Sequence, residues 1–159
     1  MVVKRAVIFI ALTPLALVSG LSLAEPGCID LQEIWGRYDV VDVSRYRGGL
    51  TSQSEAKERI GRNTLVSEEM FSLWGEVNYE DPVYDMECQP IPLAEGEVTV
   101  PWERNSDFYG IGMDRSAVNI LKVTPVNEKG PRHQFEVVDD ELWYFFDGWF
   151  YRMERVAHQ

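Results

Sequence analysis

The chain has 159 residues, of which 45% are hydrophobic, 26% charged and 12% aromatic. That balance suits one globular domain and excludes a polytopic membrane protein or a disordered tail. The formal net charge of −11 repels a nucleic-acid backbone and an anionic membrane surface, and favours a cationic partner or plain solubility.

Residues 1–24 read as a secretory signal. Lys4 and Arg5 form the positive start, residues 6–18 an apolar stretch, and Ser22-Leu23-Ala24 a small-x-small cleavage site. An uncleaved anchor helix is the alternative, against which stand Pro14, Ser19 and Gly20; Glu25-Pro26-Gly27 lacks the residues of a lipobox before Cys28. The expectation is an exported protein, periplasmic or secreted, with residues 25–159 as a single domain and no stable membrane insertion after cleavage. Loss of Lys4 and Arg5 leaves the mature chain two units more negative. In an oxidising compartment Cys28 and Cys88 are expected to pair; two buried free thiols are the alternative.

In chain order, residues 29–34 suggest one short turn, with Asp30 near its start. Residues 37–43 alternate as a half-buried strand around Tyr38 and Val40, with polar interruptions at Asp39 and Asp42, and Gly48-Gly49 ends it. A helix is expected over residues 52–60, capped by Ser52 or Ser54 and closed by Gly61. With Ala56 and Ile60 as its one apolar pair, it is either a lid over a larger apolar surface or a surface connector. Strands follow at 63–67, 70–74, 83–88, 97–102, 117–124 and 134–138, separated by turn chemistry at Gly75, Asp81-Pro82, Glu95-Gly96, Asn105-Ser106-Asp107 and Lys129-Gly130-Pro131.

The strongest local signal is at the end. Asp147-Gly148 lies between two aromatic runs and is a favoured two-residue hairpin loop. The register follows: Phe146 faces Trp149, Tyr144 faces Tyr151 and Leu142 faces Met153 on one apolar face, predicted to point inward. The other face carries Phe145 opposite Phe150, then Trp143 opposite Arg152, expected as a cation–π pair. The aromatic tip is either covered by the chain or a contact patch. The fold expected is mainly β: an antiparallel barrel or strongly bent sheet of seven to nine strands, with one short helix between the first two.

Gly36-Arg37-Tyr38 after a short helical turn, together with a late arginine at Arg152 or Arg155, resembles the start and end of a lipocalin-type (calycin) barrel. Tyr38 stands where that family has tryptophan. The resemblance implies a barrel in which the late arginine packs across the Tyr38 ring, and ligand binding inside it.

Enzymatic readings are poor. His133 lies in a Pro-Arg-His turn and His158 next to the end; the serines have no partner spacing, and Asp139 and Asp140, as neighbours, do not converge. Two acidic runs, Glu68, Glu69, Glu76, Glu80, Asp81, Asp85 and Glu87, and Asp139-Asp140-Glu141, lack calcium-loop spacing, so no catalytic residue, metal or cofactor is expected. Phe108 and Tyr109, in a glycine-flanked loop, are expected near a barrel mouth. The candidate ligand contacts are Tyr38, Tyr109, Tyr144, Trp149 and Tyr151. Two functions remain open: a carrier or sensor of a small apolar ligand, or an inhibitor, immunity or envelope-assembly protein whose acidic loops bind a cationic protein.

Overall fold

A computed structural model describes residues 29–90, 104–112, 114–115, 117–127 and 129–157. The leader, Cys28 and the strand expected at 97–102 lie outside these residues. After a 3-10 turn at Leu31–Ile34 come β1 (Gly36–Arg45), α1 (Gln53–Lys57), β2 (Asn63–Val66), β3 (Met70–Leu73), β4 (Val77–Glu80) and β5 (Val83–Pro90). A 3-10 turn at Ser106–Tyr109 precedes β6 (Ala117–Thr124), β7 (His133–Val138), β8 (Glu141–Phe146) and β9 (Trp149–Arg155). These strands form one curled antiparallel sheet, a half-barrel, in the order β4-β3-β2-β1-β9-β8-β7-β6-β5.

The two edges, β4 and β5, are consecutive in the chain and only Asp81-Pro82 separates them. Since every neighbour is antiparallel, the first and last of nine strands run the same way. Residues 77–90 therefore act as one long strand broken at a corner, pairing with β3 before the break and with β6 after it. Asp81 takes a left-handed φ of 47° there, and proline removes the amide that a continued ladder would need. The Tyr84 hydroxyl fastens the corner by donating to the carbonyls of Ser67 and Met70 at 2.9 and 3.2 Å. The exposed acids of this stretch, Glu76, Glu80, Asp81 and Asp85, line the unpaired edges, where charge discourages pairing with another chain.

The hairpin register is as expected, from Phe146 opposite Trp149 to Leu142 opposite Met153. Asp147 and Gly148 have φ of 44° and 83°, the two positive values that a type I′ loop requires. Leu142, Tyr144, Trp149, Tyr151 and Met153 join the core, with Tyr151 and Met153 wholly buried. Each such side chain contributes roughly 1.5–3 kcal/mol of apolar burial. Phe135, Val137, Leu121 and Val123 complete the inner face from β7 and β6.

In β1 the alternation changes phase. Pairing with β9 slips between Val40 and Asp42, leaving Val41 as the extra residue of a β-bulge. Tyr38 and Val40 point inward before the bulge and Val43 after it, so Asp42 stays in solvent. The polar interruption in the sequence is thus the mark of a bulge.

Helix α1 is shorter than expected, ending at Lys57, but its start is the anticipated one. Ser52 accepts from the Glu55 amide at 3.3 Å while Glu55 accepts from the Ser52 amide at 2.8 Å, a reciprocal capping box. Ala56 is buried and Ile60 is half exposed. Strand β4 was not expected. Its four residues bury only Tyr79, too little alternation to read from sequence.

Candidate functional site

The free side of β4 leaves a cleft of about 430 Å³ between the β3–β4 turn and the β7–β8 end of the sheet. Leu73 and Trp74 form one wall and Tyr144 and Phe146 the other, with Arg59 and His133 at the sides. Trp74 closes against Tyr144 with ring centroids 5.6 Å apart, and against Tyr151 behind it at 4.8 Å. Phe146 lies parallel to Tyr144 at 5.7 Å, with 40% of its surface exposed at the mouth.

Trp74 is unusual twice. It opens the three-residue β3–β4 turn with a φ of 57°, a left-handed value that costs a bulky residue about 1–2 kcal/mol. Its indole N–H is buried and has no acceptor among the described residues. A buried donor without an acceptor carries a desolvation cost of about 1–3 kcal/mol. The orphan donor and the strained backbone belong to a residue that lines the cleft.

Arg59, just past α1, lays its guanidinium 4.2 Å from the Trp74 ring centre and 5.6 Å from those of Phe146 and Tyr151. It donates to the Tyr151 hydroxyl at 2.8 Å and is 3.9 Å from Glu76. The turn after the helix thus brings one side chain, Arg59, to the cleft, while Gln53–Lys57 are not among its described lining residues. On the inner side His133 is buried, 3.0 Å from the Tyr144 hydroxyl and 3.3 Å from that of Tyr79. Burial pushes the His133 pKa down and the Tyr144 and Tyr151 pKa values up, so the lining is neutral near pH 7 apart from the cations and acid at its rim.

Of the five residues proposed from sequence, Tyr144 lines the cleft and Tyr151 lies directly behind its wall. Trp149 is buried beneath the β1–α1 loop, donating to the Thr51 carbonyl at 2.9 Å. Tyr38 is at the far end of the sheet, 1% exposed, its hydroxyl donating to the Ile34 carbonyl at 2.7 Å and accepting from Arg155 at 2.8 Å. Arg155 also lies over the Tyr38 ring at 5.4 Å, the packing that the barrel resemblance implied for Arg152 or Arg155. Tyr109 corrects an expectation: it lies on the outer wall, against Tyr46 at 4.6 Å and Phe145 at 6.0 Å, because Ser106–Tyr109 folds back over β7 and β8.

That return is anchored by a buried acid. Glu136, 3% exposed on the outer face of β7, accepts from the Ser106 amide and hydroxyl and is 3.2 Å from Arg115. Arg115 in turn lies 4.9 Å over Trp143, the place expected for Arg152. Arg152 instead bonds Glu141 at 2.6 Å and Glu154 at 2.9 Å, since a carboxylate on each flank outcompetes a ring face. The aromatic tip is thereby covered by the chain itself, and Phe150 is 6% exposed.

Sequence reasoning missed Trp74, Phe146, Arg59 and Leu73 as site residues. Gly75 was visible as a turn, with Trp74 expected to end the strand before it, but nothing local shows that this turn faces the tip of a hairpin some seventy residues later. Among the described residues no cluster of His, Cys, Asp and Glu is arranged to hold a metal, and no helix is long and apolar enough to cross a membrane. Compared with known proteins, the chain matches no family model, no curated protein and no solved structure.

Proposed function

We propose that this chain is an exported binding protein of lipocalin-like shape that holds a small, flat, mainly apolar ligand in the cleft between Trp74 and Phe146. The observation that carries the reading is the buried Trp74 indole N–H without an acceptor among the described residues, on a strained residue of an aromatic cleft. A volume of about 430 Å³ is within the range of small-molecule sites. A rotation of the Trp74 ring would bring its N–H to an acceptor on the ligand, whose ring packs against the open faces of Trp74, Tyr144 and Phe146. This is binding without catalysis, and no cofactor is invoked.

Quinoline, a neutral flat ring with one acceptor, is the probe. Titration followed by NMR should shift the Trp74 indole signal saturably, and Trp74→Phe, which keeps an aromatic wall and removes the donor, should weaken binding about tenfold. Native mass spectrometry of protein purified from its own host should show added mass. Absence of saturable shifts, together with a bare mass, would exclude the carrier reading.

A second reading rests on the exposed Glu68, Glu69, Glu80 and Asp81 around the β4–β5 corner, none of which is in an ion pair among the described residues. This corner suits a cationic protein partner. Capture from envelope extract that is lost as salt rises would support it, and recovery independent of salt would count against it.

A further inference from the structure

Behind β8, on the outer wall of the sheet, a second hollow of about 240 Å³ lies among Tyr46, Arg47, Arg104, Tyr109 and Phe145. It shares Gln134 and Phe145 with the lining of the Trp74 cleft but does not depend on the reading given to that cleft. Its walls are aromatic: Tyr46 meets Tyr109 edge-on at 4.6 Å and Phe145 at 5.1 Å, and Tyr109 lies parallel to Phe145.

Beside Gln134 and Glu136, its lining carries two cations, Arg47 and Arg104, in a chain whose formal charge is −11. Arg104 stacks on Phe108 at 4.3 Å, and its Nε is buried with no acceptor among the described residues. Arg47 donates to the Tyr46 hydroxyl at 3.0 Å, and neither arginine is in an ion pair among the described residues. The one carboxylate in the lining, Glu136, has both oxygens engaged by Ser106 and Arg115. Two guanidinium groups outside any ion pair among the described residues thus share a hollow with three rings; that of Arg104 has a desolvated N–H, and that of Arg47 feels the charge of Asp147 nearby.

We infer that this hollow is a binding site for a small aryl carboxylate, its ring held by Tyr46, Tyr109 and Phe145 and its carboxylate by Arg47 and Arg104. A planar guanidinium matches a carboxylate in fork geometry. A flat ring suits walls that already favour stacked and edge-on neighbours. A volume of about 240 Å³ is below the roughly 300 Å³ of the smallest drug-sized pockets, which limits the ligand to about one ring. The competing cations are Arg59 and Arg132 at the aromatic Trp74 cleft, from which the titration separates this hollow.

Benzoate, titrated at constant ionic strength and followed by amide chemical shifts, tests the site, with acetate and benzyl alcohol as anion-only and ring-only controls. Benzoate should produce saturable shifts centred on Tyr46, Tyr109 and Phe145. Arg104→Gln and, separately, Arg47→Gln should each weaken it about tenfold, the loss of one charge-assisted hydrogen bond, while Arg37→Gln, at an exposed arginine on β1, leaves it unchanged. Both controls should bind at least about tenfold more weakly. Two arginine variants on different segments guard against the misfolding of one, and each is checked by circular dichroism. The inference is overturned by benzoate shifts that do not saturate, by shifts centred on Trp74 instead, by equal binding of either control, or by indifference to both arginine variants.

Discussion

The backbone amide of Ile29 donates to Asn119 Oδ1 at 3.1 Å, and Asn119 is the direct cross-strand partner of Cys88 in the β5–β6 ladder. The residue that follows Cys28 is therefore held beside the residue opposite Cys88. No free cysteine is present among the described residues. On this placement we expect a Cys28–Cys88 bridge closing a loop of about 60 residues, worth roughly 4 kcal/mol in the chain-entropy view. Thiol titration of the denatured, unreduced protein should find none, and Cys88→Ser should lower the urea midpoint accordingly. Two titratable thiols would exclude the bridge.

Arg155 joins the end of β9 to the start of the chain's ordered core. It donates to Tyr38, and to the Glu33 carbonyl of the 3-10 turn. Arg155→Ala should destabilise the protein by about 2 kcal/mol, leaving the phenol and a helix-end carbonyl without their donor. Arg155→Lys should recover only part, because an ammonium lacks the fork that reaches both oxygens. Equal midpoints for wild type and Arg155→Ala in chemical denaturation would show the contact to be idle.

His133 makes stability depend on acid. Burial lowers its pKa below the ordinary 6.5, so the unfolded chain takes up the proton first. The stabilisation is fully present above about pH 6.5 and is lost as pH falls through the lowered native value. His133→Gln, which keeps hydrogen-bonding atoms but does not titrate, should flatten the fall in melting temperature between about pH 7 and 5. An unchanged slope in the variant would place the acid sensitivity elsewhere.

The alkaline limit belongs to tyrosines. Burial raises Tyr38, Tyr79, Tyr144 and Tyr151 above the usual 10.0 and pushes Tyr84 up to about 12. The fold favours the protonated phenols, so their contribution is intact below about pH 10 and is lost as pH rises through the raised values. Tyrosinate absorbance and loss of near-ultraviolet dichroism should therefore rise together above pH 10.0 for these groups. Ionisation of every tyrosine near 10.0 with the fold intact would refute this.

The loop after β1 tolerates no side chain at Gly49. An added Cβ would collide with the Asp147 carbonyl, and the Asp147 carboxylate accepts from the Leu50 amide at 2.9 Å and the Thr51 hydroxyl at 2.7 Å. Gly49→Ala should therefore cost about 2 kcal/mol or more, by lifting this loop off the hairpin tip. Faster amide exchange at Leu50 and Thr51 would report it, and unaltered exchange would contradict it.

The elements most legible in the sequence were those whose signal is local. Asp147-Gly148 fixed the register of β8 and β9, Ser52 with Glu55 fixed the start of α1, and Asp30 preceded the first turn. What was not legible depends on partners far along the chain. The bulge at Val41 is defined only against β9, the four residues of β4 only against β3, and the place of Tyr109 only by the outer-wall acid Glu136 that draws its segment back. The cleft is the same kind of feature. Trp74 is the last residue of a strand by sequence and becomes a wall only when curling brings it to Tyr144 and Phe146.

The break at Asp81-Pro82 has a mechanical consequence. Because β4 and β5 share no ladder, the wall has a lengthwise seam, crossed above the corner by the Tyr79 phenol, which donates to the Pro131 carbonyl at 2.7 Å. The seam is held by side chains alone, the same phenol standing 3.3 Å from His133 and the Trp74 ring closing on Tyr144, so parting it would break packing and side-chain hydrogen bonds but no interstrand rung.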